Sequence, residues 1–173
     1  MKAAAAILLA SLLPANAHVL DEYVQHSVIA VGKDRITISM RLQPGAEVGK
    51  VMAAIEHDGK PGLSRTELKA YGHRVLGDLT VTLDGRKATP KLVSAEAADV
   101  RELRQGTGDI RIVYMLTAPM ASGRHRLTLE NRHQKGISAY VVNSLAPDDA
   151  AIHGFVQSRN VDQSRYQLDY ELR

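Results

Sequence analysis

Four residues that carry side-chain oxygens lie at the spacing of a calcium-binding loop. An EF-hand loop has twelve residues, with oxygen ligands at positions 1, 3, 5, 9 and 12 and glycine at position 6. Residues 56–67 supply an oxygen at four of these five positions, from Glu56, Asp58, Ser64 and Glu67. Lys60 brings a positive charge to position 5, and Pro61 replaces the glycine with a fixed φ. The sequence therefore predicts a degenerate EF-hand-like loop. It is either a weak calcium (Ca) site or a metal-free helical hairpin.

A histidine follows a candidate cleavage site. Residues 1–17 begin with a lysine at position 2, continue with a short apolar run, and end with Ala15 and Ala17. This pattern is typical of a secretory signal peptide, and cleavage would leave His18 at the mature N-terminus. An amine and an imidazole on one terminal residue can chelate copper (Cu) or nickel (Ni), since imidazole suits both metals. His18 is therefore a candidate transition-metal ligand, or it is simply the residue that follows the cut.

A third polar group occurs late in the chain and consists of Arg132, His133 and Arg159. These three residues are candidates for a partner-binding or anion-binding surface. The alternative is that they are solvated turn residues, as most exposed charges are.

Composition excludes several kinds of chemistry. The chain has no cysteine, which removes disulfides, thiolate catalysis and cysteine-ligated zinc. Its 22 basic and 19 acidic residues give a net charge of only +3 and are interleaved, which argues against a nucleic-acid partner. We find no G-x-S-x-G, H-E-x-x-H or P-loop motif. A non-enzymatic protein is predicted, and a spatially assembled hydrolase site is the third-ranked alternative.

The elements that must position these residues are mostly strands. Apolar and polar residues alternate in residues 35–42, 110–116, 124–130 and 166–172, which is the period of a strand with one wet face. We predict a mainly β fold, an antiparallel, immunoglobulin-like β-sandwich. Residues 46–79 instead have helical spacing, and Ser64 with Glu67 forms a capping-box motif. A helix–turn–helix is thus predicted between the second and third strands of a single domain, residues 18–173.

These features together resemble a known family. The stretch His18-Val19-Leu20-Asp21, the 56–67 loop, Asn131 to His133 and Arg159-Asn160 are similar to the periplasmic head regions that accompany HupE/UreJ-type nickel and cobalt permeases. The resemblance covers nearly the whole mature chain. It implies a stand-alone periplasmic accessory domain associated with metal uptake or handling. In that family a proline frequently follows the histidine, where this chain has Val19.

The expected function is therefore that of an exported, non-enzymatic accessory domain. It would bind nickel, cobalt or copper, or bind calcium weakly, or it would dock on a membrane permease or another periplasmic protein. The alternative is a metal-free structural or protein-interaction module of the bacterial periplasm. No apolar segment long enough to span a membrane follows the leader, so no direct membrane span is expected.

Overall fold

The computed structural model describes residues 22–46, residue 49 and residues 63–173. The chain is mainly β. Its helices are α1 (Arg65–Gly77) and α2 (Val100–Arg104). Its strands are β1 (Tyr23–Val31), β2 (Arg35–Pro44), β3 (Leu79–Leu83), β4 (Arg86–Ala88), β5 (Lys91–Ala97), β6 (Ile110–Thr117), β7 (Gly123–Asn131), β8 (Ser138–Ser144), β9 (Ile152–Arg159) and β10 (Arg165–Leu172).

The strands form two five-stranded sheets. Sheet A has the order β5-β6-β2-β1-β8, and sheet B has the order β4-β3-β7-β10-β9. Within the described strands, β1 and β8 run parallel and the other neighbouring pairs are antiparallel. The prediction of a wholly antiparallel arrangement is therefore wrong for one pair. A tight hairpin turn forces its two strands to be antiparallel, whereas β8 reaches β1 after the chain leaves sheet B, so no hairpin sets its direction.

The alternating pattern of the sequence is the reason these segments are strands. In β2 and β10 every second residue is buried, as the period of two predicts. Inward-facing side chains from both sheets meet in one hydrophobic core, where Ile36 and Leu42 of sheet A and Leu127 and Leu168 of sheet B have no exposed surface. Each such side chain contributes about 1.5–3 kcal/mol when it is fully buried.

Helix α1 lies between β2 and β3 in the chain and packs against β5. Its predicted capping box is confirmed: the Ser64 hydroxyl accepts from the Glu67 N–H at 3.2 Å, and the Glu67 carboxylate accepts from the Ser64 N–H at 2.7 Å. Gly72 allows the close approach, because a Cβ there would lie 3.0 Å from both terminal carbons of Leu92. The helix ends at Gly77 rather than 79, since Leu79 already belongs to β3. The predicted first helix of the hairpin lies mostly outside the described residues.

In the part of the chain that the structure describes, no helix is both long enough and apolar enough to cross a bilayer.

Candidate functional site

The residues predicted to bind metal fall mainly outside the described part of the chain. His18, Glu56 and Asp58 are not described. Ser64 and Glu67 are described, and they form the capping box at the start of α1. Among the residues with described positions, no group of three or more His, Cys, Asp or Glu side chains could hold a metal ion. The calcium loop and the histidine site therefore remain predictions.

The three residues predicted to form a partner surface have different surroundings. His133 is only 1% exposed and lies in the interior, although the sequence around it resembles a polar turn. Arg132 is exposed and donates to the Thr80 hydroxyl at 3.2 Å. Of the three, only Arg132 and Arg159 reach solvent.

Arg159 contacts β8, the edge strand of sheet A. Its Nε donates to the Val142 carbonyl of β8 at 2.7 Å, and its Nη2 donates to Asn143 at 2.7 Å and to Gln157 at 2.8 Å. The guanidinium also lies 5.5 Å from the centre of the Tyr166 ring. An edge strand with unpaired backbone groups invites pairing with another chain. Arg159 therefore protects β8, and its Nε and Nη2 donors are committed to this contact.

A buried chain of hydrogen bonds runs through His133. Its Nδ1 lies 2.7 Å from Asp78 Oδ2, its Nε2 lies 2.9 Å from the Tyr71 hydroxyl, and that hydroxyl contacts the hydroxyl of Tyr23. A carboxylate only accepts, so Nδ1 carries the hydrogen. In the assignment with hydrogen on Nδ1 alone, Tyr71 donates to Nε2 and Tyr23 donates to Tyr71. This assignment gives every group in the hydrogen-bond chain a partner.

The order of groups, carboxylate to imidazole to hydroxyl, is that of a catalytic triad. However, Tyr23 is fully buried and His133 nearly so, which leaves a substrate no access to either. Burial raises the pKa of Tyr71 to about 12. Burial, with repulsion from Tyr71, also raises the pKa of Tyr23. The cluster ties α1 to β1 and to the loop after β7.

Sequence reasoning did not identify this cluster. Tyr23 lies 48 residues from Tyr71, and Tyr71 lies 62 residues from His133. No local motif signals such a contact. The only available hint was the helical spacing of Tyr71, which indicated that its ring faces the core.

The outer face of sheet B has a shallow cavity of about 680 Å³ lined by charged residues of both signs. At its margin, His125 Nδ1 lies 2.8 Å from an Asp84 carboxylate oxygen, and Nε2 lies 2.8 Å from the Ala121 carbonyl. Both partners are acceptors, so this arrangement favours the protonated form of His125, in which both ring nitrogens donate. Burial alone would lower the pKa of His125, but Asp84 and the Ala121 carbonyl outweigh it and raise that pKa.

Asp84 and Gly85 form the two-residue hairpin turn between β3 and β4, with φ of 53° and 76°. These left-handed values are those of the turns that suit two-residue hairpins. Nearby, Arg126 pairs with Asp169 at 2.6 Å. Because charges of both signs alternate here, the cavity does not favour one class of ligand.

The outer face of sheet A has a different character. Its centre consists mainly of short apolar and hydroxyl side chains in register across β8, β1, β2 and β6, with the exposed His26 between Val24 and Val28: Ala139, Val141, Val24, Val28, Ser39 and Val113. Towards β5, Val93 is 58% exposed and Met115 is 36% exposed. The face therefore presents a flat, partly apolar surface to solvent.

Basic residues surround this apolar centre. The outward-facing residues at the ends of the strands include Arg35, Arg41, Lys91 and Arg111, all exposed. Glu96 is the one acidic residue among the described strand positions that face outward from sheet A. The apolar centre and the basic rim together make this face the candidate docking surface.

No protein-family model matches the chain, and no curated protein matches it at a significant level. The functional conclusion therefore depends on the residues of the chain itself.

Proposed function

We propose that this chain is an exported, non-enzymatic accessory module that docks on a protein of the bacterial envelope through the outer face of sheet A. In this proposal the two sheets form an immunoglobulin-like β-sandwich, and the signal peptide delivers it to the periplasm. The partner is a membrane permease or another periplasmic protein. It presents an apolar patch bordered by carboxylates.

The observation that carries the proposal is the charge and polarity of that face. Four basic residues outnumber the outward acid Glu96 and the buried Asp109, which pairs with two of them, around a centre rich in valine: Arg35, Arg41, Lys91 and Arg111. Interfaces commonly have an apolar core and a polar rim, and complementary charge selects the partner. Two copies of this face would bring like charges together, which disfavours self-association through it.

The same side chains favour a protein over a lipid surface. The centre of the face consists of valine and alanine, which are short, and the whole chain contains no Trp and a single Phe. Proteins that bind in the membrane interface usually insert aromatic or long apolar side chains. A flat valine surface can pack closely against another protein but inserts poorly into lipid.

The burial of Tyr23 and His133 supports the proposal that the protein is not an enzyme. In the group that most resembles a catalytic constellation, Tyr23 and His133 are buried, and the pKa of Tyr71 is raised to about 12. The metal-handling part depends on His18, Glu56 and Asp58, together with Ser64 and Glu67. Calorimetric titration of correctly processed protein with Cu, Ni and Ca tests it, and no heat with any ion would overturn it.

Site-specific photo-crosslinking in cells that export the protein tests the docking. A photoreactive residue at Val28 or Val113 should give a discrete adduct with one other protein. The same residue at Ser158 in β9, which is exposed on sheet B, should not. The double variant Arg35→Glu with Lys91→Glu should weaken the adduct at least several-fold, because it removes complementary charge.

The matched control is Arg165→Glu, an exposed arginine of sheet B, which should leave the adduct unchanged. The proposal fails if neither sheet A position gives an adduct, or if both sheets give it equally. An adduct with a second copy of this chain would show that the face mediates self-association and not docking on another protein. If the purified protein co-sediments with anionic vesicles and the double variant does not, the face binds membranes and the docking proposal is wrong.

A further inference from the structure

Two arginines on neighbouring strands of sheet A share one buried carboxylate. Arg41 of β2 and Arg111 of β6 lie directly opposite each other in the ladder. Arg41 Nε binds one oxygen of Asp109, and Arg111 Nε lies 3.2 Å from the other. The Asp109 side chain is 8% exposed, whereas the two arginine side chains are 59% and 68% exposed. The buried carboxylate thus restrains both guanidinium groups.

This anchoring leaves the outer edge of each guanidinium available. Both arginines bind Asp109 through Nε, and the described residues provide no further hydrogen bond to their Nη atoms. The two Nη atoms of a guanidinium form a planar fork that matches the two oxygens of a carboxylate. Because Asp109 already restrains each side chain, less conformational entropy is lost when a ligand binds.

The surroundings place this pair at the margin of the apolar centre. His26 of β1 lies opposite Arg41, and Val141 of β8 lies opposite His26. A row of possible donors therefore runs across three adjacent strands and ends next to the valines. A partner that covers the apolar centre would bring its own rim over Arg41 and Arg111.

We propose that Arg41 and Arg111, oriented by Asp109, bind a carboxylate of the docking partner, from an Asp or Glu side chain at the rim of its apolar patch. This inference rests on the proposed docking through sheet A. Arg41, Arg111 and Asp109 together carry a net charge of +1, and Glu96 of β5, which lies opposite Arg111 in the ladder, lowers the local positive charge further. A single carboxylate is therefore the most negative group that this pair can balance. A dianionic phosphate would be balanced less well.

The test uses the purified protein and NMR signals of the arginine Nε–H groups. Titration with a hexaglutamate peptide, blocked at both ends, should shift the Arg41 and Arg111 signals. Hexaglutamine should not shift them. Added salt should weaken the binding several-fold, since exposed charges are screened. Arg126 and Arg165, which pair with carboxylates of sheet B, are internal controls and should not shift.

Variants distinguish a shaped site from general positive charge. Arg41→Gln or Arg111→Gln should reduce hexaglutamate binding at least fivefold. Arg41→Lys should also reduce it, because lysine keeps the charge but has no planar fork. Equal binding by Arg41→Lys, shifts of similar size at Arg126, or inorganic phosphate binding as tightly as hexaglutamate would each overturn the inference.

The two proposals fail in different ways. If the crosslinked adduct forms but is unaffected by Arg41→Gln and Arg111→Gln, docking stands and this inference is wrong. If hexaglutamate binds as expected but no adduct forms through sheet A, the carboxylate site stands and the proposed docking function is wrong.

Discussion

Replacing Tyr71 by phenylalanine removes the central hydroxyl of the series of hydrogen bonds that joins Tyr23 to Asp78 through His133. Two interior groups then lose their partners at once. The Tyr23 hydroxyl loses its acceptor, and His133 Nε2 loses its donor. Both residues are at most 1% exposed, so water cannot easily replace the lost contacts.

The expected cost follows from this count. A buried polar group left without a partner costs about 1–3 kcal/mol, so with two such groups Tyr71→Phe should lower the free energy of unfolding by about 2–6 kcal/mol. Tyr23→Phe removes only the last hydroxyl of the series of hydrogen bonds, because Tyr71 can still donate to His133. That variant should cost about 0.5–1.5 kcal/mol, the net value of one hydrogen bond.

The double variant provides the sharper test. Once Tyr71 has lost its hydroxyl, removing the hydroxyl of Tyr23 also removes an unsatisfied group. The double variant should therefore be no less stable than Tyr71→Phe alone, which gives a coupling energy of about 1 kcal/mol or more between neighbouring groups. Equilibrium urea unfolding of all four proteins measures it. Tyr114→Phe, which removes one hydroxyl bond of 2.7 Å to the Gly72 carbonyl, is the matched control and should cost about 1 kcal/mol.

Two results would refute this reasoning. If Tyr23→Phe is as costly as Tyr71→Phe, the hydroxyl of Tyr71 is not the centre of the chain. If the two substitutions are additive, the two hydroxyl groups do not depend on each other.

Three further predictions concern other parts of the fold. The raised pKa of His125 means that its bond to Asp84 stabilises the fold below the unfolded pKa and is lost as pH rises through the folded pKa. The melting temperature of His125→Gln should therefore lie furthest below that of the native protein near pH 5.5, and the gap should narrow by about pH 9; a gap that widens with pH would contradict this sign. Arg159→Met should expose the edge of β8 and increase aggregation, measured by light scattering, whereas Arg165→Met should not. Ser64→Ala removes the N-cap of α1 and should cost about 1 kcal/mol in urea unfolding, and an unchanged midpoint would show that the cap contributes no stability.

Much of the local structure was predictable from the sequence. The alternation in β2 and β10, the capping box at Ser64 and the hairpin turn at Asp84-Gly85 are all found in the structure. Each depends on residues close together in the chain. The side-chain period and the geometry of a turn or cap are properties of a short segment, so a short pattern suffices to identify them.

The candidate sites were less predictable. Asn131-Arg132-His133 has the composition of a solvated turn, yet His133 is buried by Tyr23 and Tyr71 from distant elements. The parallel pairing of β1 with β8 likewise depends on where the chain crosses between sheets. Arg41 and Arg111 carried no signal, because only the pairing of β2 with β6 brings them to one carboxylate.

The sequence by itself determined the alternating strands, the helix that begins after Ser64 and the absence of cysteine chemistry, and it predicts an exported chain. Only the tertiary structure decided which polar residues are committed to the fold and which remain available at the surface. His133 and Arg159 belong to the first group, and Arg41 and Arg111 to the second. The reason is physical: a side chain's hydrogen-bonding partners and burial are set by neighbours tens of residues away, which the order of residues does not specify locally.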